Sequence, residues 1–137
     1  GEVDSALYYL NKSLNTCYNP INNLDVEKNI AQILFKKGEK DSAYILLKNN
    51  LDKIEDYAVK YSYYTLLGEF YYHDNKYDSA IYYFKEGLES HYFYTKLNAT
   101  RRLSAIYDSL NDYEKKAYYD NIISQLFIKN INKNRYG

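Results

Sequence analysis

The chain has 137 residues, a length typical of one domain that buries roughly two thirds of the surface its unfolded form exposes. Its 18 basic and 18 acidic side chains cancel, so no net charge attracts nucleic acid or an anionic membrane surface. The single cysteine, Cys17, excludes an internal disulfide and a thiolate metal cluster. No apolar run is long enough to span a bilayer, and we predict no membrane contact by this segment.

Apolar residues recur at helical spacing along almost the whole sequence, and no stretch alternates as a half-buried strand does. We therefore predict an all-α fold of about seven helices. Pro20 and the asparagines around it mark a break after the first helix. The predicted helices cover residues 3–16, 24–37, 40–53, 56–73, 77–90, 94–109 and 114–131.

The word Asp-Ser-Ala occurs three times at intervals of 37 residues, ending at Ala6, Ala43 and Ala80. Each copy begins the second helix of a helix–turn–helix unit, where a small side chain lets two helices pack closely. Ala117 follows Ala80 at the same interval, and we predict that it makes the same contact in the last unit.

These units predict a single domain made of a half repeat at residues 1–18 and full repeats at about 24–55, 56–92 and 93–132. Because the sequence begins inside a repeat, we expect it to be a segment of a longer chain. The apolar face of Ala6, Leu10 and Leu14 would then be partly uncovered, and we expect it to support a homodimer through the N-terminal helix.

The spacing Tyr64-x2-Leu67-Gly68-x2-Tyr71 followed by Ala80-x3-Phe84 resembles the tetratricopeptide repeat pattern, with tyrosine where that pattern begins with tryptophan. The resemblance covers nearly the whole chain and implies an α-solenoid of antiparallel helix pairs that form a right-handed superhelix with a concave groove. Two departures are the missing proline after each second helix and the period of 37 residues, and the longer period implies an altered superhelical pitch.

The tyrosine-rich stretches, including residues 77–88 and 107–119, are also similar to repeat regions of bacterial membrane-anchored regulators. This similarity implies a sensory part of a signalling or transcription-regulatory protein and an extracytoplasmic, periplasmic location. The residues themselves leave the compartment open, the cytoplasm included.

In the tetratricopeptide family the groove binds protein or peptide ligands through the first helix of each repeat. The resemblance implies Phe35 and Tyr72 as aromatic anchors, with Lys28 and Arg101 for a carboxylate or carbonyl of the ligand. With a register of one residue either way, the implied groove positions are Asp25, Lys28, Gln32, Phe35, Ser62, Thr65, Glu69, Tyr72, Asn98, Arg101, Ala105 and Asp108.

Catalytic signatures are not found in the sequence, which has no glycine-rich phosphate loop, no H-E-x-x-H and no G-x-S-x-G. His73 beside Asp74 is typical of a turn, and Glu55 with Asp56 is typical of a helix start. We predict a non-enzymatic scaffold without a metal or cofactor, and we do not predict nucleic acid as a partner. The alternative is a small-molecule or glycan sensor, which a deep pocket would favour and an open trough would not.

Overall fold

The computed structural model describes residues 20–136 together with Asp4, Leu7 and Tyr8. Residues 20–136 form six α-helices and no strand, so the all-α prediction is confirmed for this part of the chain. The helices are α1 (Pro20–Lys37), α2 (Lys40–Leu51), α3 (Tyr57–His73), α4 (Tyr77–Gly87), α5 (Phe93–Ser109) and α6 (Tyr113–Tyr136).

The helix bounds agree closely with the periodicity, and the largest differences are at the start of the first helix and the end of the last. Helix α1 begins at Pro20. Proline lacks a backbone N–H, and this is tolerated in the first turn because N–H groups there have no acceptor within the helix. Helix α6 continues to Tyr136, five residues beyond the predicted end. The prediction for residues 3–16, with the uncovered face of Ala6, Leu10 and Leu14 and its homodimer, falls outside the described residues except for Asp4, Leu7 and Tyr8, which are helical.

The chain divides into two compact units, one ending at Glu55 and one beginning at Asp56. In the first unit α1 packs against α2, and Ala31, Ala43 and Leu47 are fully buried between them. In the second unit α3 packs on α4, α4 on α5, α5 on α6, and α3 on α5. The single-domain, solenoid and superhelix predictions concern larger arrangements and stay predictions.

Three turns join the paired helices with the same backbone geometry. Gly38, Asn75 and Asn111 have φ angles of 99°, 59° and 60°, the left-handed region that glycine and asparagine adopt most readily. One residue further on, an N–H reaches back to a carbonyl in the last turn of the preceding helix, as at many helix ends. These 2.9 Å bonds run from Glu39 to Leu34, from Lys76 to Tyr71 and from Asp112 to Tyr107.

The spacing of these turns corrects one sequence prediction. Ala43 and Ala80 are fully buried at the helix contact, as predicted, but Ala117 is exposed. The turn residues Gly38 and Asn75 are 37 positions apart, whereas Asn75 and Asn111 are 36 apart. Lys116 therefore occupies the position equivalent to Ala80, and the prediction for Ala117 is wrong.

The start of α3 is fixed by its own sequence. The Asp56 carboxylate accepts hydrogen bonds from the N–H groups of Ala58 and Val59, at 2.8 and 3.3 Å. An aspartate in this position accepts hydrogen bonds from N–H groups that have no partner within the helix. Its negative charge also interacts favourably with the positive N-terminal end of the helix. The expectation that Glu55 and Asp56 mark a helix start is confirmed.

Candidate functional site

The last turns of α3 and the middle of α5 bring four polar and aromatic side chains together. Glu69, Tyr72 and His73 lie on one face of α3 because residues three and four apart are neighbours on a helix. Helix α5 packs against α3 and contributes Arg102 to the same face. We call these four residues, Glu69, Tyr72, His73 and Arg102, the α3–α5 cluster.

Arg102 makes the central contacts of the α3–α5 cluster. Its Nε donates a 2.7 Å hydrogen bond to Glu69 Oε1, and its guanidinium carbon lies 4.7 Å from the centre of the Tyr72 ring. The second distance is that of a cation–π contact. The hydrogen bond to Glu69 raises the pKa of Arg102 above its already high ordinary value, so the guanidinium stays charged in any physiological medium.

The Glu69 carboxylate has a second neighbour on its own helix. His73 Nε2 lies 3.4 Å from Glu69 Oε2, and the Tyr72 and His73 rings meet edge to face with centres 5.2 Å apart. The imidazole adds a charge to this contact only when it is protonated. His73 thus pairs with Glu69 one turn back along α3.

The α3–α5 cluster remains open to a ligand. The Arg102 side chain is 36% exposed and that of Glu69 is 25% exposed. A guanidinium carries five donors in a planar fork, which suits carboxylate and carbonyl acceptors, and a neighbouring ring offers apolar contact area. The arrangement can therefore bind a chain that presents acceptors beside an apolar side chain.

The other two groove positions predicted on α3, Ser62 and Thr65, are outside the α3–α5 cluster. Ser62 Oγ donates to the Val59 carbonyl at 2.6 Å, and Thr65 Oγ1 donates to the Tyr61 carbonyl at 2.8 Å. Thr65 also lies against α4, where a Cβ added to Gly87 would be 3.0 Å from its hydroxyl oxygen. Thr65 is accordingly a packing residue between α3 and α4.

Three predicted positions on α5 are separate from the α3–α5 cluster. Asn98 and Asp108 are exposed, and the Arg101 guanidinium lies 5.8 Å from the Phe127 ring of α6. Arg102, one residue on, is the arginine that reaches Glu69. The structure thus joins the predicted Glu69 and Tyr72 with Arg102.

The predicted positions of the first unit lie along α1. Asp25 and Lys28 form an ion pair at 3.4 Å, and Gln32 is exposed. The Phe35 ring is half-buried against Tyr44 of α2, with ring centres 6.2 Å apart, and the Lys40 ammonium lies 5.5 Å from it. The binding role of all these positions stays a prediction.

Two absences are established for the described residues alone. Among them no group of three or more histidine, cysteine, aspartate or glutamate side chains is placed to hold a metal ion. None of the six helices combines the length and the apolar character needed to cross a membrane.

The α3–α5 cluster was found only in part from the sequence. Glu69 and Tyr72 were predicted through the repeat resemblance, whereas Arg102 and His73 were missed. A helix turns by about 100° per residue, so neighbouring arginines face different neighbours and the spacing alone cannot choose between them. Comparison with known proteins adds no further guide: no protein-family model, no curated protein and no solved structure matches this chain.

Proposed function

We propose that this chain is a non-catalytic scaffold that binds protein or peptide through the first helices of its helix pairs. In the proposed arrangement the pairs stack as a tetratricopeptide-like solenoid, and α3 and α5 line one groove. Support comes from the repeated turn geometry, the buried small residues Ala43 and Ala80, and the packing of α3 on α5.

The observation that carries the proposal is the α3–α5 cluster. Its aromatic ring and paired guanidinium are half-exposed on two helices that are first in their pairs. Tyrosine and arginine contribute most often to the energy of protein interfaces, since both offer large contact area and directional donors. A peptide carbonyl or carboxylate would meet Arg102, and an apolar side chain would lie against Tyr72.

The similarity of the tyrosine-rich repeats to bacterial membrane-anchored regulators supports a sensory role within this proposal. Occupation of the groove would then be the event that is signalled. The chemistry of recognition is the same in either compartment, so the binding test does not depend on the location of the protein.

The test is selection of a displayed random peptide library on the purified chain, followed by affinity measurements for the enriched peptides. We expect Tyr72→Ala and Arg102→Gln each to weaken binding by at least about tenfold, which corresponds to about 1.4 kcal/mol. The matched controls are Tyr82→Ala, at an exposed tyrosine of α4, and Lys85→Gln, at an exposed lysine of the same helix. Peptides that bind both variants as tightly as the parent chain would contradict the proposal.

A further inference from the structure

A cavity of about 560 Å³ lies in the second unit, away from the residues of the α3–α5 cluster. The cavity forms where the end of α6 continues past the start of α5, because α6 has 24 residues and its partner α5 has 17. Contact between the Phe93 and Phe127 rings, with centres 5.6 Å apart, fixes where α5 begins along α6. The lining residues are His91, Tyr92, Phe93, Lys96, Leu126, Lys129, Asn130 and Lys133.

Three lysines from two helices line this cavity. Lys96 comes from α5, while Lys129 and Lys133 lie one turn apart on α6 and so share a face. The lining contains no aspartate or glutamate, and no described carboxylate forms an ion pair with any of the three. A concavity lined by charges of one sign concentrates ions of the opposite sign.

Three lysines elsewhere in the same unit have a different environment. Lys76, Lys115 and Lys116 each have a carboxylate oxygen within 3.6 Å, so their charges are balanced locally. The three cavity lysines have no such partner among the described carboxylates, and they line an open concavity. The first turn of α5 adds to this field because the N-terminal end of a helix is positive.

The cavity also has an apolar wall. Phe93 and Leu126 line it, and a second cavity of about 220 Å³ shares Lys96, Leu126 and Lys129 with it. The second cavity extends the apolar surface towards Leu88 and Ile122. Both volumes together fall in the range of small-molecule sites, which combine apolar walls with a few polar groups.

We propose that this cavity binds a small organic anion. The lysines hold a carboxylate or phosphate group, and an aromatic or aliphatic body lies against Phe93 and Leu126. This site does not depend on peptide binding by the α3–α5 cluster, because the two share no residue.

The test uses the whole ¹⁵N-labelled chain and four probes observed by amide NMR: phenyl phosphate, phenylacetate, benzyl alcohol and inorganic phosphate. We expect phenyl phosphate or phenylacetate to give saturable shifts confined to residues 91–100 and 122–133. Benzyl alcohol, which has the ring without the charge, and inorganic phosphate, which has the charge without the ring, should each bind at least about tenfold more weakly. The tighter of the two aromatic anions identifies the preferred acidic group.

The variant is Lys129→Gln combined with Lys133→Gln, which keeps helix-forming side chains and removes two charges. We expect it to weaken binding of the preferred aromatic anion by at least about tenfold, a loss of about 1.4 kcal/mol. Lys85→Gln, at an exposed lysine of α4 outside the cavity, should leave that affinity unchanged. Equal binding of benzyl alcohol and both anions, shifts spread over other lysines, or full affinity in the double variant would overturn the proposal.

Discussion

The two helix pairs of the second unit, α3–α4 and α5–α6, have the same turn and the same tyrosine stack, which together form their common frame. They differ in the contact between the helices beside that stack. In each pair a stacked pair of tyrosines joins the helices. Tyr71 and Tyr83 lie with ring centres 5.5 Å apart and Tyr107 and Tyr119 with centres 5.6 Å apart, both at an angle of 4° between planes. The turn and the tyrosine stack therefore repeat closely, 36 residues apart.

The contact beside each tyrosine stack is apolar in one pair and polar in the other. Gly68 lies so close to Phe84 that an added Cβ would be 2.8 Å from the ring. At the equivalent positions Ser104 donates a hydrogen bond to Asp120, whose other oxygen accepts from Lys116 Nζ at 2.6 Å. The same backbone thus accommodates a small residue against a ring or a hydroxyl against a carboxylate.

The turn and the tyrosine stack are common to both helix pairs, whereas the inner contact sets how much each pair contributes to stability. Phe84 is fully buried, whereas the Asp120 side chain is 44% exposed. Burial of a large ring contributes several kcal/mol, but a partly exposed ion pair contributes little because water screens it. The first pair should accordingly be the more sensitive to substitution.

The largest expected effect is that of Phe84→Ala, which should lower the free energy of unfolding by about 3–5 kcal/mol because it leaves a cavity in the core. Asp120→Ala, at the equivalent position, should lower it by less than about 1 kcal/mol. Urea unfolding with an unchanged slope measures both values. An equal or larger loss for Asp120→Ala would show that the polar contact holds the second pair together.

Leu67→Ala and Leu103→Ala test the part of the frame that the two pairs share. Both leucines are fully buried at equivalent positions of α3 and α5. Each substitution should cost about 2–5 kcal/mol in the same unfolding experiment. Should either one prove neutral, the 36-residue correspondence between the pairs would be wrong.

Substitution to leucine separates the pairs at the position after the turn. Ala80→Leu should cost about 1–3 kcal/mol because the fully buried alanine leaves no room between the helices. Lys116→Leu should have a much smaller effect, because Lys116 is already a large, half-exposed side chain and water screens its ion pair with Asp120. A larger loss of stability for Lys116→Leu than for Ala80→Leu would contradict the assignment of Lys116 to this position.

The smallest expected effect is a dependence on pH. The hydrogen bonds from Lys116 and then Ser104 hold the pKa of Asp120 below its ordinary value of 3.8. A carboxyl group whose pKa is lower in the folded state stabilises it above pH 3.8 and loses that contribution as the pH falls through the folded value. The loss of stability between pH 5 and pH 2 should be greater in the parent chain than in Asp120→Asn.

The contribution of Asp120 should stay below about 1 kcal/mol because its side chain is partly exposed. Thermal or urea unfolding of both proteins at several pH values gives the difference directly. A difference between them that is constant from pH 5 to pH 2 would contradict the pKa assignment.

The positions of the helices could be predicted from the sequence because the signals for them are local. Helical periodicity placed most of the helix ends to within a few residues. Ala117 differs from its prediction because the 37-residue interval does not hold in the last helix pair, where one fewer residue separates the turns.

The candidate site was less predictable because it depends on how helices face one another. Arg101 and Arg102 are indistinguishable in the sequence, yet only Arg102 lies against Glu69. The cavity at the start of α5 was not predicted, because it forms where α6 continues past α5 and is lined by lysines of both helices. Predicting such sites requires the rotation of each helix about its own axis. A repeat period of 36 or 37 residues does not determine that rotation.

Binding of peptide by the α3–α5 cluster is tested most directly by amide NMR of the chain with an enriched peptide that carries a nitroxide label. We expect the signals lost through proximity to the label to belong to the last two turns of α3 and to the middle of α5, around Tyr72 and Arg102. Signals lost instead from the outer residues of α4 or α6, with those of α3 unchanged, would contradict it.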